Sequence, residues 1–115
     1  MSKPLPFLSL ACVAILACSR PEATPAQIKA TKDLMGMVAG VAAAWRASPG
    51  HSVQCPTFDV LRAEHEIAAT GPGPDPWGTD YRMTCEASSV TVTSAGPDKA
   101  FGTADDLVAQ KSFAF

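Results

Sequence analysis

Charge is scarce in this chain, and neither sign is in excess. Charged residues make up 17% of 115, with nine Lys and Arg against eleven Asp and Glu, a formal net charge of -2. No basic surplus is present to neutralise phosphates, which argues against nucleic acid as a partner. Histidine is equally scarce. His51 and His65 are the only two, and Glu64-His65-Glu66 lacks the HExxH spacing of a metalloprotease. Neither a nucleophile elbow nor a phosphate-binding glycine loop occurs. With no paired general acid and base either, the expectation is a non-enzymatic protein whose histidines are surface residues. Long apolar runs are missing too: Leu5–Ala17 falls short of the roughly 20 residues needed to cross a bilayer.

The length admits one small domain. Hydrophobic residues at 47% exclude a disordered chain, and ten prolines with eight glycines exclude a large helical bundle. The first residues read as a removable leader: a basic start at Lys3, a short apolar middle and a small residue, Ala17, at its end. Ile15-Leu16-Ala17-Cys18 resembles the lipobox of bacterial lipoproteins, in which cleavage precedes a cysteine that carries diacylglycerol. Residues 1–17 are therefore expected to be a lipoprotein signal peptide, with Cys18 as the lipidated residue. An ordinary signal peptide with an incidental cysteine is the rival reading, and Cys12 is too close to the start to compete. Ser19 after the cysteine points, by analogy with enteric sorting, to the outer membrane. The expected location is the periplasmic side of the envelope. Residues 18–25, with Pro21 and Pro25, read as a tether, leaving 26–115 as the folded domain.

Thr24-Pro25-Ala26-Gln27 combines a capping threonine, a proline at the first helical position and the glutamine of a capping box. Ile28, Thr31, Met35, Val38, Ala42 and Trp45 then recur at spacings of three and four, with Lys29, Lys32, Asp33 and Arg46 elsewhere on the wheel. This predicts an amphipathic helix of about six turns, stopped by Ser48-Pro49-Gly50. Gly36 and Gly40 have small-xxx-small spacing and are expected to mark close packing against a neighbouring element. A shorter helix is expected after Cys55-Pro56-Thr57, through Val60, Leu61 and Ala63. The run Gly71-Pro72-Gly73-Pro74-Asp75-Pro76 forbids regular structure. Beyond it the period becomes two: Tyr81, Met83 and Cys85 alternate with polar residues, and so do Val90 and Val92. These predict a hairpin, with a third strand within Leu107–Phe115. The predicted fold class is α+β, a long helix on a small antiparallel sheet of about three strands.

Two cysteines, Cys55 and Cys85, fall in the folded part. An exported domain meets an oxidising compartment, so they are expected to form a disulfide. A redox or metal-binding pair is disfavoured by the absence of CxxC spacing.

Between the hairpin and the last strand lie Asp98, Asp105 and Asp106 in a glycine-containing loop. Hard oxygen ligands on a flexible loop suit calcium, although this is not the spacing of an EF-hand. On spacing alone, a solvated acidic turn is the better reading. Two ordered motifs add to the spacing. Asp75-Pro76-Trp77-Gly78-Thr79-Asp80-Tyr81 is followed by the strand pair, then by Ser94-Ala95-Gly96-Pro97-Asp98 and Gly102-Thr103-Ala104-Asp105-Asp106-Leu107. This frame resembles the C-terminal domain of the type II secretion major pseudopilins, closely over residues 75–107 and loosely over 26–115. The resemblance implies a pilin-like globular domain binding one Ca²⁺ ion. Its ligands would be Asp98 and Asp106, with Asp105 and the Ala95 backbone carbonyl as further candidates. The family often has glycine where Lys99 stands, so a cation is placed beside the site. Trp77 is expected to pack under the loop.

One departure from the family is large. Pseudopilins begin with a glutamate-containing apolar helix used for fibre assembly, whereas here a short apolar segment precedes Pro21 and Pro25. The expectation is an envelope lipoprotein with a calcium-stabilised pseudopilin-like domain. It would act through contacts with an envelope or secretion-machinery protein. The alternative is a structural or accessory component of a type II secretion pseudopilus.

Overall fold

The computed structural model describes residues 23–114. The leader, Cys12, the lipidation residue Cys18, most of the tether and Phe115 lie outside the described residues. The elements are α1 (Pro25–Ala47), α2 (Phe58–Ala63), β1 (Arg82–Glu86), β2 (Ser89–Ser94) and β3 (Leu107–Ser112). Among the described residues no helix is long and apolar enough to cross a membrane.

The start of α1 is the predicted capping box. Gln27 N donates to Thr24 Oγ1 at 3.1 Å, and Thr24 N donates to Gln27 Oε1 at 3.0 Å. Two of the amides that a helix start leaves without partners are thereby satisfied. The helix ends at the Ser48 cap, whose amide donates to Trp45 O. Gly50 then takes a φ of 87°, a conformation that side chains resist.

The strands form one antiparallel sheet in the order β1-β2-β3. Cys85 pairs with Val90, and Val92 pairs with Met83 on one side and Ala109 on the other. Strand alternation turns Val90 and Val92 of the central strand to one face, where both are buried. Met35, Val38 and Ala39 of α1 pack there with Tyr81 and Val92, and Ala42, Ala43 and Trp45 pack with Leu61 and Val90. Burying each valine contributes about 1.5–3 kcal/mol, so β2 and the inner stripe of α1 hold the domain together. The fold is thus the predicted α+β arrangement of a helix on a three-stranded antiparallel sheet. Cys55 and Cys85 are joined, with their Cα atoms 5.7 Å apart.

Three expectations are corrected. Arg46, assigned to the polar face, is buried. Its Nη1 donates to Glu86 O at 2.6 Å and Ser89 O at 3.0 Å, and its Nη2 donates to Ser52 O at 2.7 Å. The guanidinium also lies over the Phe113 ring, 4.7 Å from its centroid. Carbonyl acceptors at Nη1 and Nη2 and an aromatic face compensate for part of its lost water, while Nε is buried without an acceptor. Gly36 and Gly40 do not mark close packing, because a Cβ at either would meet nothing within 4 Å. The sheet is covered instead by Thr31, Met35, Val38 and Ala42, one side of the wheel away. His51 is not a free surface residue: its ring is half-buried and stacks on Trp45 at 3.8 Å, and Nδ1 lies 3.0 Å from Trp45 O.

Candidate functional site

The two sequence motifs meet through one buried carboxylate. The Asp75 amide donates to Thr79 O, and the Gly78 amide donates to Asp75 O, closing residues 75–79 into a compact turn. The Asp75 side chain is buried within it. Its Oδ1 accepts from Trp77 N at 3.0 Å and Thr79 N at 2.9 Å, and its Oδ2 accepts from Ser94 Oγ at 2.7 Å. Ser94 Oγ in turn accepts from Gly96 N at 3.2 Å. A chain of hydrogen bonds therefore runs from the first motif, through the last residue of β2, into the acidic loop. Trp77 is buried, as expected, and its indole N–H has no acceptor.

Asp75 also acts on its neighbour. Burial raises the Tyr81 phenol above its ordinary value of 10.0, and the Asp75 charge raises it further. A folded state that holds a proton more tightly than the unfolded chain loses stability once the unfolded group begins to release it. Stability should therefore be level below the unfolded phenol pKa of about 10 and fall above it. Tyr81 is the only tyrosine, so a phenolate absorbance titration reports it alone. The expected outcome is that Tyr81→Phe flattens the alkaline fall, while Asp75→Asn brings the titration back toward the ordinary value. Superimposable alkaline limbs in wild type and Tyr81→Phe would exclude the linkage.

The acidic loop closes on itself between β2 and β3. Gly96, at φ 78°, lies against the backbone of Asp105, so that any Cβ there would collide with the Asp105 carbonyl. Gly96 is thus fixed as glycine by both conformation and space. Asp98 Oδ1 accepts from Ala100 N at 3.0 Å, and Asp106 Oδ2 accepts from Gly102 N at 2.8 Å. Asp106 Oδ1 is buried with no hydrogen-bond partner. Ala95 is fully buried beside Gly96. Lys99 takes a φ of 60°, and its ammonium reaches Gly78, 3.8 Å from the place of a Cβ there. Phe101 is held from the sheet by Arg82, whose guanidinium stands 3.8 Å over the ring centroid.

Among the described residues no three acidic, histidine or cysteine side chains converge on one point. Asp98, Asp105 and Asp106 thus share a loop without forming a cage of three carboxylates. A cation here would need backbone carbonyls alongside the carboxylates. Calcium accepts such mixed oxygen sets, whereas zinc seeks nitrogen and sulfur. The buried Asp106 Oδ1 fits that requirement, since a buried anionic oxygen that no protein donor meets is well placed to face a cation.

Asp75 was quoted within its motif, but its role as the junction was not anticipated from the sequence. Nineteen residues separate it from Ser94 at the end of β2, and no local pattern in the sequence signals the pairing. No protein-family model, curated protein or solved structure significantly matches this chain.

Proposed function

We propose that this protein is a non-enzymatic envelope lipoprotein. Its pilin-like domain is stabilised by one calcium ion and acts through contacts with other proteins. The observation that carries the metal reading is Asp106 Oδ1, a carboxylate oxygen buried without a donor in a glycine-bent loop. Asp106 would be the principal ligand, with Asp98, Asp105 and the Ala95 carbonyl completing an oxygen set. Bound there, the ion would neutralise the clustered carboxylates and fix the loop between β2 and β3.

Two further features support the likeness to pseudopilins. Lys99, where that family often carries glycine, takes the left-handed conformation that glycine adopts readily. The Asp75–Ser94–Gly96 chain gives a physical reason for the two motifs to occur together. A non-enzymatic role is supported by His51, which stacks on Trp45 with Nδ1 at a backbone carbonyl.

Thermal unfolding tests the metal. Calcium at about ten times its dissociation constant should add about 1.4 kcal/mol. For a domain of this size that raises the melting temperature by roughly 5–10 °C. Asp106→Ala should abolish the shift, and identical curves in calcium and in chelator would remove the ion from the proposal. The anchor is tested separately. Cys18→Ser should release the chain from membranes, and retention of that variant would refute lipidation at Cys18.

A further inference from the structure

The two halves of the Cys55–Cys85 bridge differ in their surroundings. Cys55 is exposed and lies in the irregular stretch before α2. Cys85 is half-buried and packs against the cluster of Ala42, Trp45, Leu61 and Val90. Both cysteines border an open cleft of about 520 Å³, whose wall includes Val53, 90% exposed. A disulfide enclosed by protein is inert to thiols, because exchange requires the entering thiolate to reach a sulfur directly. This one has a solvent-filled approach with room for a small thiol.

Arg46 borders the same cleft. Its Nη2 donates to Ser52 O, three residues before Cys55, and its Nη1 donates to Glu86 O, the residue after Cys85. Gln54 N donates to His51 O at 3.0 Å, and His51 stacks on Trp45. Both chain segments that carry the sulfurs are therefore tied to the end of α1 by contacts other than the bridge. Opening the S–S bond leaves those contacts in place, and the two sulfurs stay neighbours.

We propose that this bridge is a thiol-exchange site, at which a low-molecular-weight thiol forms a mixed disulfide with Cys55 while the domain remains folded. The entering thiolate attacks Cys55 Sγ, and a new S–S bond forms there as the bond to Cys85 breaks. The bonding electron pair leaves with Cys85 Sγ, and the resulting thiolate takes a proton from water. The number of disulfides is unchanged. Arg46, bonded to the carbonyl next in the chain, places a positive charge near this leaving thiolate. Return attack of Cys85 Sγ on Cys55 Sγ expels the thiol and restores the bridge. Attack by a second thiol on the sulfur of the first completes reduction instead. Two thiols then become their own disulfide, and the bridge takes up two electrons and two protons.

The missing CxxC spacing disfavours a catalytic redox pair, but it does not bear on a bridge that receives a thiol. Exchange makes the contribution of the cross-link to stability depend on the thiols around the protein. It requires neither the metal nor the lipid anchor.

Glutathione is the probe. The native full chain, its free thiols first alkylated, is incubated with it, quenched in acid and peptide-mapped. The mixed disulfide is expected on Cys55 at least about tenfold more than on Cys85, at a rate proportional to thiol concentration. Val53→Glu sets a carboxylate in the cleft at an exposed position. It should slow the dianionic thiolate form of glutathione roughly threefold and leave cysteamine, whose thiolate form has no net charge, unchanged. The melting temperature of the variant checks that its fold is retained. Absence of an adduct, or equal adducts on both cysteines, would overturn the proposal. So would a rate that levels off at the rate of global unfolding, or a Val53→Glu variant that reacts with glutathione like wild type.

Discussion

Replacing Cys55 and Cys85 together by serine is expected to lower the unfolding free energy by about 3–4 kcal/mol, the chain-entropy value for a loop of this length. The bridge spans 30 residues of sequence. That segment contains only one helix, α2 of six residues, before β1 begins. Its remaining attachments are few: the buried side chains of Leu61, Trp77 and Tyr81, the Asp75–Ser94 hydrogen bond and the Trp45–Glu64 hydrogen bond. Released from the cross-link, the unfolded segment regains a large conformational freedom that these few anchors must overcome. For a domain of fewer than 100 residues the loss corresponds to a fall in melting temperature of roughly 12–30 °C. Urea unfolding of the double variant beside wild type measures the difference directly, and reduction of the wild-type bridge should reproduce it. Equal midpoints would mean that the unfolded chain is already compact without the bridge.

Local chemistry decided which parts of this architecture could be read in advance. The start of α1 was legible because Thr24, Pro25 and Gln27 are neighbours whose hydrogen bonds close within one turn. β2 was legible because Val90 and Val92 alternate with Thr91 and Thr93, and pleating turns that alternation into burial. The disulfide followed from two cysteines in a predicted exported domain. Arg46 was misread because periodicity treats charge as exposure. Its burial depends on the carbonyls of Glu86 and Ser89, 40 and 43 residues away, which no local pattern encodes. Gly36 and Gly40 were misread for the opposite reason: small residues permit close approach but do not compel it. In the acidic loop, the sequence grouped Asp98, Asp105 and Asp106 by proximity along the chain. Folding ties Asp98 and Asp106 to separate backbone amides, Ala100 and Gly102. The unpartnered state of Asp106 Oδ1 is a property of packing, invisible before the loop is closed.

Asp75 is the position at which a single substitution should cost most. Asp75→Ala removes an acceptor from Trp77 N, Thr79 N and Ser94 Oγ at once, all three at 3.0 Å or less. Hydrogen bonds to a charged group contribute about 1.5–3 kcal/mol each, and buried donors left unpaired add their own desolvation cost. Relaxation of the turn toward water recovers part of this, giving an expected loss of about 3–5 kcal/mol. Asp75→Asn separates shape from charge. Its carbonyl can still accept both amides, while its NH₂ can donate to Ser94 Oγ only if the serine hydroxyl turns elsewhere. A smaller loss of about 1–2 kcal/mol is therefore expected. Ser94→Ala should resemble Asp75→Asn, because it leaves Asp75 with its two amide donors and removes one acceptor from Gly96 N. In the double-mutant cycle between Asp75→Asn and Ser94→Ala, the two losses should not add, since both break the same contact. Strict additivity would mean that the Asp75–Ser94 hydrogen bond contributes nothing to coupling the two motifs. The acidic loop would then have to be held in place by the Gly96–Asp105 approach and the Arg82–Phe101 contact alone.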